Sequence, residues 1–227
     1  MTGIVLQARL DSKRLPRKAL LPLGSKPMIV RVMEALRQVR SEQYILACPK
    51  DCVDTFAPLA QEAAFLLCAG SKEDVLSRYC DAIRLYHLDR IIRATGDNPF
   101  VFADAAFAIN AQALDLGADY AGYSALPYGA GVESVAAEAL LCAEREAVLA
   151  SDREHVCPYL YRHPQRFLVH RPLAPVCWQA PHLRVTVDTA EDYTQAQKLY
   201  AALPSDLQQR YRGELIIEAL TAGTACF

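Results

Sequence analysis

A chain of 227 residues, 52% hydrophobic and 22% charged, has ample material for the core of one large α/β domain and needs no disulfide or metal to staple it. Its formal net charge of −2 argues against a protein that coats nucleic acid. No run reaches the roughly 18 uninterrupted apolar residues of a membrane helix, and the opening Met-Thr-Gly-Ile-Val-Leu-Gln has neither the basic nor the apolar stretch of a signal peptide. A cytoplasmic protein is expected. The cysteines at 48, 52, 68, 80, 142, 157, 177 and 226 form no C-x-x-C pair and lie mostly in apolar runs. They read as small buried hydrophobes of a reducing compartment, not as a zinc site.

Short β-like runs alternate with helical periodicities, which predicts a mostly parallel central sheet with helices on both faces. Gly3–Leu6 is the first strand, followed by a polar loop to about Lys18. Pro27 opens a helix whose stripe is Met28, Ile29, Val32, Met33, Leu36 and Val39. Tyr44–Cys48 and Phe65–Cys68 are strands around a helix over 51–62 that contains Pro58. Ser71 and Asp74 have capping-box spacing ahead of a helix with Val75, Leu76, Tyr79, Ile83 and Tyr86 on its apolar face. A strand over 89–95, a helix near 103–116 and a strand near 118–122 complete the alternation. Beyond Tyr123 the pattern changes to a turn-rich stretch over 126–131, then Val132–Val135 and a helix near 136–149. A further helix starts at about Arg153, and Phe167–His170 is a candidate strand. After a proline-rich loop come a strand over 183–187, a helix capped by Thr189 with Asp192 three residues on, and a helix over 213–220. There is no repeat and no linker, so residues 1–227 form a single domain.

Ligands of open α/β sheets sit beyond the carboxyl ends of the strands, and three polar motifs fall on such ends. Residues 9–18 carry five cations, Arg9, Lys13, Arg14, Arg17 and Lys18, in a chain that is slightly acidic overall. That concentration suits a nucleoside triphosphate, and a solvated basic loop is the bland alternative. Neither G-x-x-x-x-G-K-[ST] nor G-x-G-x-x-G occurs, which excludes a P-loop and the dinucleotide fingerprint. In Thr95-Gly96-Asp97-Asn98-Pro99 a tight turn presents Asp97 as a candidate Mg²⁺ ligand. In Val187-Asp188-Thr189-Ala190-Glu191-Asp192 the cap occupies Thr189 and Asp192, which leaves Asp188 free to reach the same metal.

Five ordered stretches carry a family likeness: Gln-Ala-Arg-x-x-Ser-x-Arg-Leu-Pro-x-Lys from Gln7, Gly-Ser-Lys-Glu-Asp-Val-Leu-Ser-Arg-Tyr from Gly70, Thr-Gly-Asp-Asn-Pro from Thr95, Arg-Glu-His-Val-Cys-Pro-Tyr from Arg153 and Leu-Arg-Val-Thr-Val-Asp-Thr from Leu183. Together they resemble the cytidylyltransferase family of acylneuraminate and 3-deoxy-manno-octulosonate activating enzymes, nearest to the branch called spore coat polysaccharide biosynthesis protein F. The resemblance implies a Rossmann-like, GT-A-like nucleotidyltransferase fold and a homodimer. It also implies transfer of CMP from CTP to a sugar acid, with Mg²⁺ and release of pyrophosphate. By position, Arg9, Ser12, Arg14 and Lys18 would hold the triphosphate, with Arg14 and Lys18 nearest the transferred phosphate, and Asp97 and Asp188 would hold the metal. Asp74, Arg78, Thr95 and Gly96 would lie along the nucleotide. Glu133, Arg153, His155 and Tyr159 would face a small anionic sugar-type acceptor, within a segment of about 124–182 given to acceptor binding and dimerisation. For His155, a general base and a satisfied structural histidine both stay open.

The family branch usually has glycine where this chain has Asp11 and Arg17. Asp11 puts a like charge beside the triphosphate, unless it orients Lys13 or Arg14 or joins the metal shell. Two other readings therefore stand beside the first: a nucleotide-sugar-dependent glycosyltransferase and a non-catalytic nucleotide-binding homologue. The absence of any Asp-x-Asp tripeptide weighs against the glycosyltransferase, and the pair Asp97 and Asp188 weighs against the non-catalytic reading.

Overall fold

Every side chain of Ile4, Val5 and Leu6 is removed from water, and the strand that carries them, Thr2–Gln7 (β1), forms the axis of the molecule. Alternation sends Ile4 and Leu6 to one face of the sheet and Val5 to the other. The computed structural model describes residues 1–224. A two-residue hairpin, Pro22–Leu23 (β2) and Lys26–Pro27 (β3), leads into the helix Met28–Arg37 (α1). Gln43–Pro49 (β4), Val53–Glu62 (α2), Leu66–Gly70 (β5), Val75–Tyr86 (α3), Arg90–Thr95 (β6) and Ala103–Leu116 (α4) continue the alternation. Tyr120–Ala121 (β7), Glu133–Ala136 (β8), Ala137–Glu146 (α5), Ala150–His155 (α6), Pro158–Arg162 (α7) and Val169–His170 (β9) follow. Ala190–Ala202 (α8), Leu207–Arg210 (α9) and Gly213–Thr224 (α10) close the chain.

Seven strands form the main sheet in the order β5-β4-β1-β6-β8-β7-β9. β8 alone runs against the others, since β6 and β7 each pair with it antiparallel while the remaining pairs are parallel. The expected mostly parallel sheet is therefore the one observed. Apolar faces of α1, α2 and α4 cover one side and those of α3, α5 and α7 the other. The first crossovers, through α1 and α2, step outward from β1 to β4 and β5, and α3 then returns past β1 to β6. The carboxyl end of β1 is thus the switch point where a crevice opens. No helix among the described residues is long and apolar enough to cross a membrane.

Several local expectations change. Ser71 does not cap α3: Asp74 is the N-cap, accepting from the Ser77 N–H at 2.9 Å, while the Ser71 hydroxyl accepts from the Asp74 N–H at 3.1 Å. The Ser-x-x-Asp spacing closes a turn just ahead of the helix. The capping box of Thr189 and Asp192 forms in full. The helix expected from Arg153 is two short ones, split where Val156 takes a φ of 74° and Pro158 starts the next. Residues 183–187 are extended but join no sheet: they make one bridge, Tyr128 to Arg184, and Val187 N–H donates to Asp97 O at 2.8 Å. Val185, Thr186 and Val187 are buried by α8 and the loops, so a buried extended segment gives the apolar signature of a strand without the ladder. The cysteines are free thiols, buried at 48, 52, 68, 80 and 157, partly buried at 142 and exposed at 177. Cys226 lies outside the described residues.

Candidate active site

The loop that leaves β1 is folded on its own backbone. Ser12 Oγ accepts from Leu15 N–H at 3.3 Å, and Leu10 O accepts from Arg17 N–H at 3.2 Å. Arg17 has φ 53° and ψ 29°, the left-handed region that favours glycine, and this tight reversal starts a short 3-10 turn over Lys18–Leu20. The turn aims Lys18 inward while Arg9, Lys13 and Arg14 remain at the rim. Asp11 turns to Lys72 at 3.2 Å and Arg9 at 3.9 Å, and pairs with neither Lys13 nor Arg14.

Gly96 brings the second motif into place. Its N–H donates to Gln7 O at 2.8 Å, and a Cβ there would stand 2.9 Å from both Ala8 Cβ and Ile29 Cδ1. Only glycine allows the ends of β1 and β6 to come this close, and Asp97 follows directly. The third motif is tied to it, since Asp97 O accepts from Val187 N–H, and Asp188 comes next in the chain. One ammonium bridges the two carboxylates: Lys18 Nζ lies 3.1 Å from Asp97 Oδ2, 2.8 Å from Asp188 Oδ1 and 2.7 Å from Val187 O. Arg184 donates to the other Asp188 oxygen at 2.7 Å, and Arg14 lies 3.2 Å from it. Burial would push the Asp188 carboxyl up, but Lys18, Arg184 and Arg14 outweigh it and hold the group below the ordinary aspartate range.

These groups face a cleft of two lobes. One, about 620 Å³, lies along the basic loop and is lined by Ser12, Arg14, Lys18, Gly96, Asp97 and Asp188. The other, about 520 Å³, opens toward β8 and is lined by Thr95, Tyr128, Glu133, His155, Arg171 and Thr186. Gln7, Arg9, Asp97, Glu154 and Asp188 belong to both. The expected residues Arg9, Ser12, Arg14, Lys18, Thr95, Gly96, Asp97, Asp188, Glu133 and His155 therefore converge. His155 is exposed on the cleft wall.

Four expected residues lie behind the walls. Arg153 donates to the Asp74 carboxylate, with Nε at 2.8 Å, and ties α6 to the start of α3. Arg78 is fully buried and bonds to Ser71 O and Gln7 Oε1, each at 2.8 Å. Tyr159 is buried in the core on the α5 side, its hydroxyl donating to Glu146 at 2.5 Å. Arg153, Asp74 and Tyr159 thus spend their polar atoms on structure, although their spacing in the motifs is intact.

Arg93, Tyr120 and Arg171 are on the cleft and were not singled out by pattern, and Gln7, which opens the first motif, is there without a role having been assigned to it. Arg93 had a signal, a charge in the middle of an apolar strand. It pairs with Glu133 across β6 and β8, and Tyr120 donates to the other Glu133 oxygen at 2.8 Å. Burial works against the Arg93 charge, but Glu133 holds the guanidinium protonated. Arg171 lies in the proline-rich stretch and stacks on Tyr161, which no local pattern announces.

Among the described residues no cluster of three or more His, Cys, Asp or Glu could hold a metal ion alone. Two carboxylates with oxygens 3.1 and 2.8 Å from one ammonium do fit a hard dication that takes its remaining oxygens from phosphate and water.

A basic loop facing a carboxylate pair, at the carboxyl ends of a mostly parallel sheet, defines the class as a single-domain nucleotidyltransferase fold. A family model described as cytidylyltransferase matches residues 3–217. The spore coat polysaccharide biosynthesis protein SpsF of Bacillus subtilis strain 168 is 34% identical over 203 residues, covering 86% of this chain and 85% of that protein. A cytidylyltransferase structure from Leptospira borgpetersenii serovar Hardjo-bovis strain JB197 superposes with a TM-score of 0.89 at 23% identity, over 99% of this chain and 95% of that one. CMP:2-keto-3-deoxy-manno-octonic acid synthetase complexed with CTP gives a TM-score of 0.69 at 18% identity, over 88% and 98% of the two chains. The chain belongs to the cytidylyltransferase family and is an enzyme of that class.

Proposed function

We propose that this enzyme transfers CMP from CTP to a small anionic sugar-type acceptor, a sugar acid, with release of pyrophosphate, for synthesis of a surface polysaccharide. The observation that carries the reading is Lys18 bridging Asp97 and Asp188 beneath the basic loop. Phosphoryl-type transfer depends on positioning and on neutralising charge at the phosphate, and these groups supply both. The polysaccharide context and CTP come from the relatives' names.

In this reading Arg9, Ser12, Arg14 and Lys18 hold the triphosphate, and Thr95 and Gly96 shape the wall beside it. Asp97 and Asp188 are the residues that would hold Mg²⁺, which when bound neutralises phosphate charge and favours departure of pyrophosphate. Lys18 already faces both carboxylates and shares its charge with the phosphate that is transferred. The acceptor occupies the lobe toward β8, where Arg171 and Arg93 offer positive charge to an acid and Glu133 accepts from hydroxyls. An acceptor oxygen forms the new bond to the α-phosphorus as the bond to the bridging oxygen of pyrophosphate breaks. His155, exposed on the wall, takes the hydroxyl proton. The stretch 124–182 supplies much of this lobe and, by resemblance, the contact of a cytoplasmic homodimer.

Thermal unfolding with CTP, UTP, ATP and GTP, each with and without Mg²⁺, tests the reading. A ligand at a hundred times its dissociation constant should stabilise the fold by about 2.7 kcal/mol. The expected result is a shift for CTP that grows with Mg²⁺ and loses its Mg²⁺-dependent part in Asp97→Asn, with the fold intact. A shift for UTP or GTP in its place would sink the cytidylyl assignment. No shift with any of the four would sink the reading altogether.

A further inference from the structure

Cytosine and uracil differ at N3, which accepts a hydrogen bond in cytosine and donates one in uracil. A residue that tells them apart at N3 must present a donor that cannot become an acceptor. A glutamine alone fails, because half a turn of its carboxamide exchanges oxygen for nitrogen. Gln7 is not free to turn. It is the last residue of β1, and alternation carries its side chain after Val5 to the α3 face of the sheet. There Arg78 Nη2 donates to Gln7 Oε1 at 2.8 Å, and Arg78 Nη1 donates to Ser71 O at 2.8 Å. Arg78 is 0% exposed, and a guanidinium has donors only, so it accepts the amide oxygen as neighbour and rejects the NH₂. The amide nitrogen is thereby fixed as the free end. Gln7 lines both lobes of the cleft without contacting the group of Lys18, Asp97 and Asp188. That leaves it to the nucleoside part of a nucleotide whose phosphates lie on the basic loop.

We propose that Gln7 selects the base, donating Nε2–H to N3 of cytosine, and that Arg78 is the positioning residue that keeps the amide from turning over. The proposal rests on the CTP reading above and adds to it the residue that excludes uridine nucleotides. Arg78 touches no ligand in this account; it breaks the ambiguity of the amide that does.

Affinities for CTP and UTP, measured by titration calorimetry with Mg²⁺, decide the matter. Equal affinities in the wild-type protein would overturn the cytidylyl reading itself. Given a wild-type preference for CTP, Gln7→Glu is the direct test. One oxygen stays on Arg78 while the other arm becomes an acceptor, which suits uracil N3–H. The CTP preference should fall at least about tenfold. Repulsion between the new carboxylate and the triphosphate acts on both nucleotides alike and drops out of the ratio. Arg78→Met keeps length and removes the charge, so the freed amide should also erode the preference. An unchanged ratio in Gln7→Glu overturns the proposal, and that variant decides alone if Arg78→Met does not fold. Equal weakening of both nucleotides by a folded Arg78→Met would remove the positioning role.

Discussion

Lys18 holds three oxygens at 2.7, 2.8 and 3.1 Å from one nitrogen, two of them on carboxylates that the chain brings from positions 97 and 188. Replacing it with methionine leaves Asp188 with burial working against Arg184 and Arg14, so its carboxyl pKa should rise from its lowered wild-type value. The sign follows from linkage. A depressed carboxyl contributes stability that is complete above the ordinary aspartate value and is lost as pH falls through the folded-state value. Lys18→Met should therefore cost stability at neutral pH, and the cost should fade in acid. Carboxyl titration by NMR with urea melts at several pH values checks this; a cost independent of pH would show that Lys18 acts by packing. Arg17 invites the opposite change. Its left-handed backbone strains any residue with a Cβ, and its side chain does not line the cleft. Arg17→Gly should gain roughly 0.5–1 kcal/mol in denaturation, the steric relief less the extra chain entropy of glycine. CTP affinity should not change; a weakened affinity would place Arg17 on the triphosphate. At this scale the sequence was readable where a polar residue ended an apolar run, as at Asp97 and Asp188. It misled at Tyr159, whose motif survives while its hydroxyl is spent on Glu146.

Caps link single residues to elements. Asp192 serves three purposes at the start of α8: Oδ2 accepts from Asp188 N–H at 2.9 Å and Thr189 N–H at 3.1 Å, and Oδ1 accepts from Arg184 at 3.0 Å. The Thr189 hydroxyl accepts from Asp192 N–H and otherwise meets the exposed Glu191 carboxylate, so it does not reach the cleft. Thr189→Ala should thus cost about 1 kcal/mol of stability and leave triphosphate affinity unchanged. Asp192→Ala should cost at least as much and also weaken CTP binding, because it frees Asp188 and Arg184. Equal CTP affinity in both variants would detach the cap from the site. This box was legible because both partners lie within one turn. The same reasoning set α3 three residues early at Ser71, where a preceding turn and a true N-cap use similar residues. Residues 183–187 looked like a strand because burial gives any extended segment an apolar run; whether a ladder forms depends on neighbours that local sequence does not contain.

The stretch from Ala130 to Val135 shows why the molecule should behave as one unit. Ala130 packs with Phe100, Val185 and α8, Val132 with the core under α1 and α4, and Val135 with the core under α3 and α5. Six residues thus enter all three apolar clusters, and the strand they include, β8, lies between β6 and β7 inside the sheet. The stretch 124–182, marked in the sequence by a break in rhythm, consequently contributes to the core as well as to the cleft. Calorimetry should show a single unfolding transition with matching calorimetric and van't Hoff enthalpies. Val132→Ala, a buried truncation worth ~2 kcal/mol, should move that whole transition down by roughly 5 °C without splitting it. Two separable transitions, with only one of them moved by Val132→Ala, would show that residues 124–182 fold independently. The cleft would then lie between two bodies instead of within one.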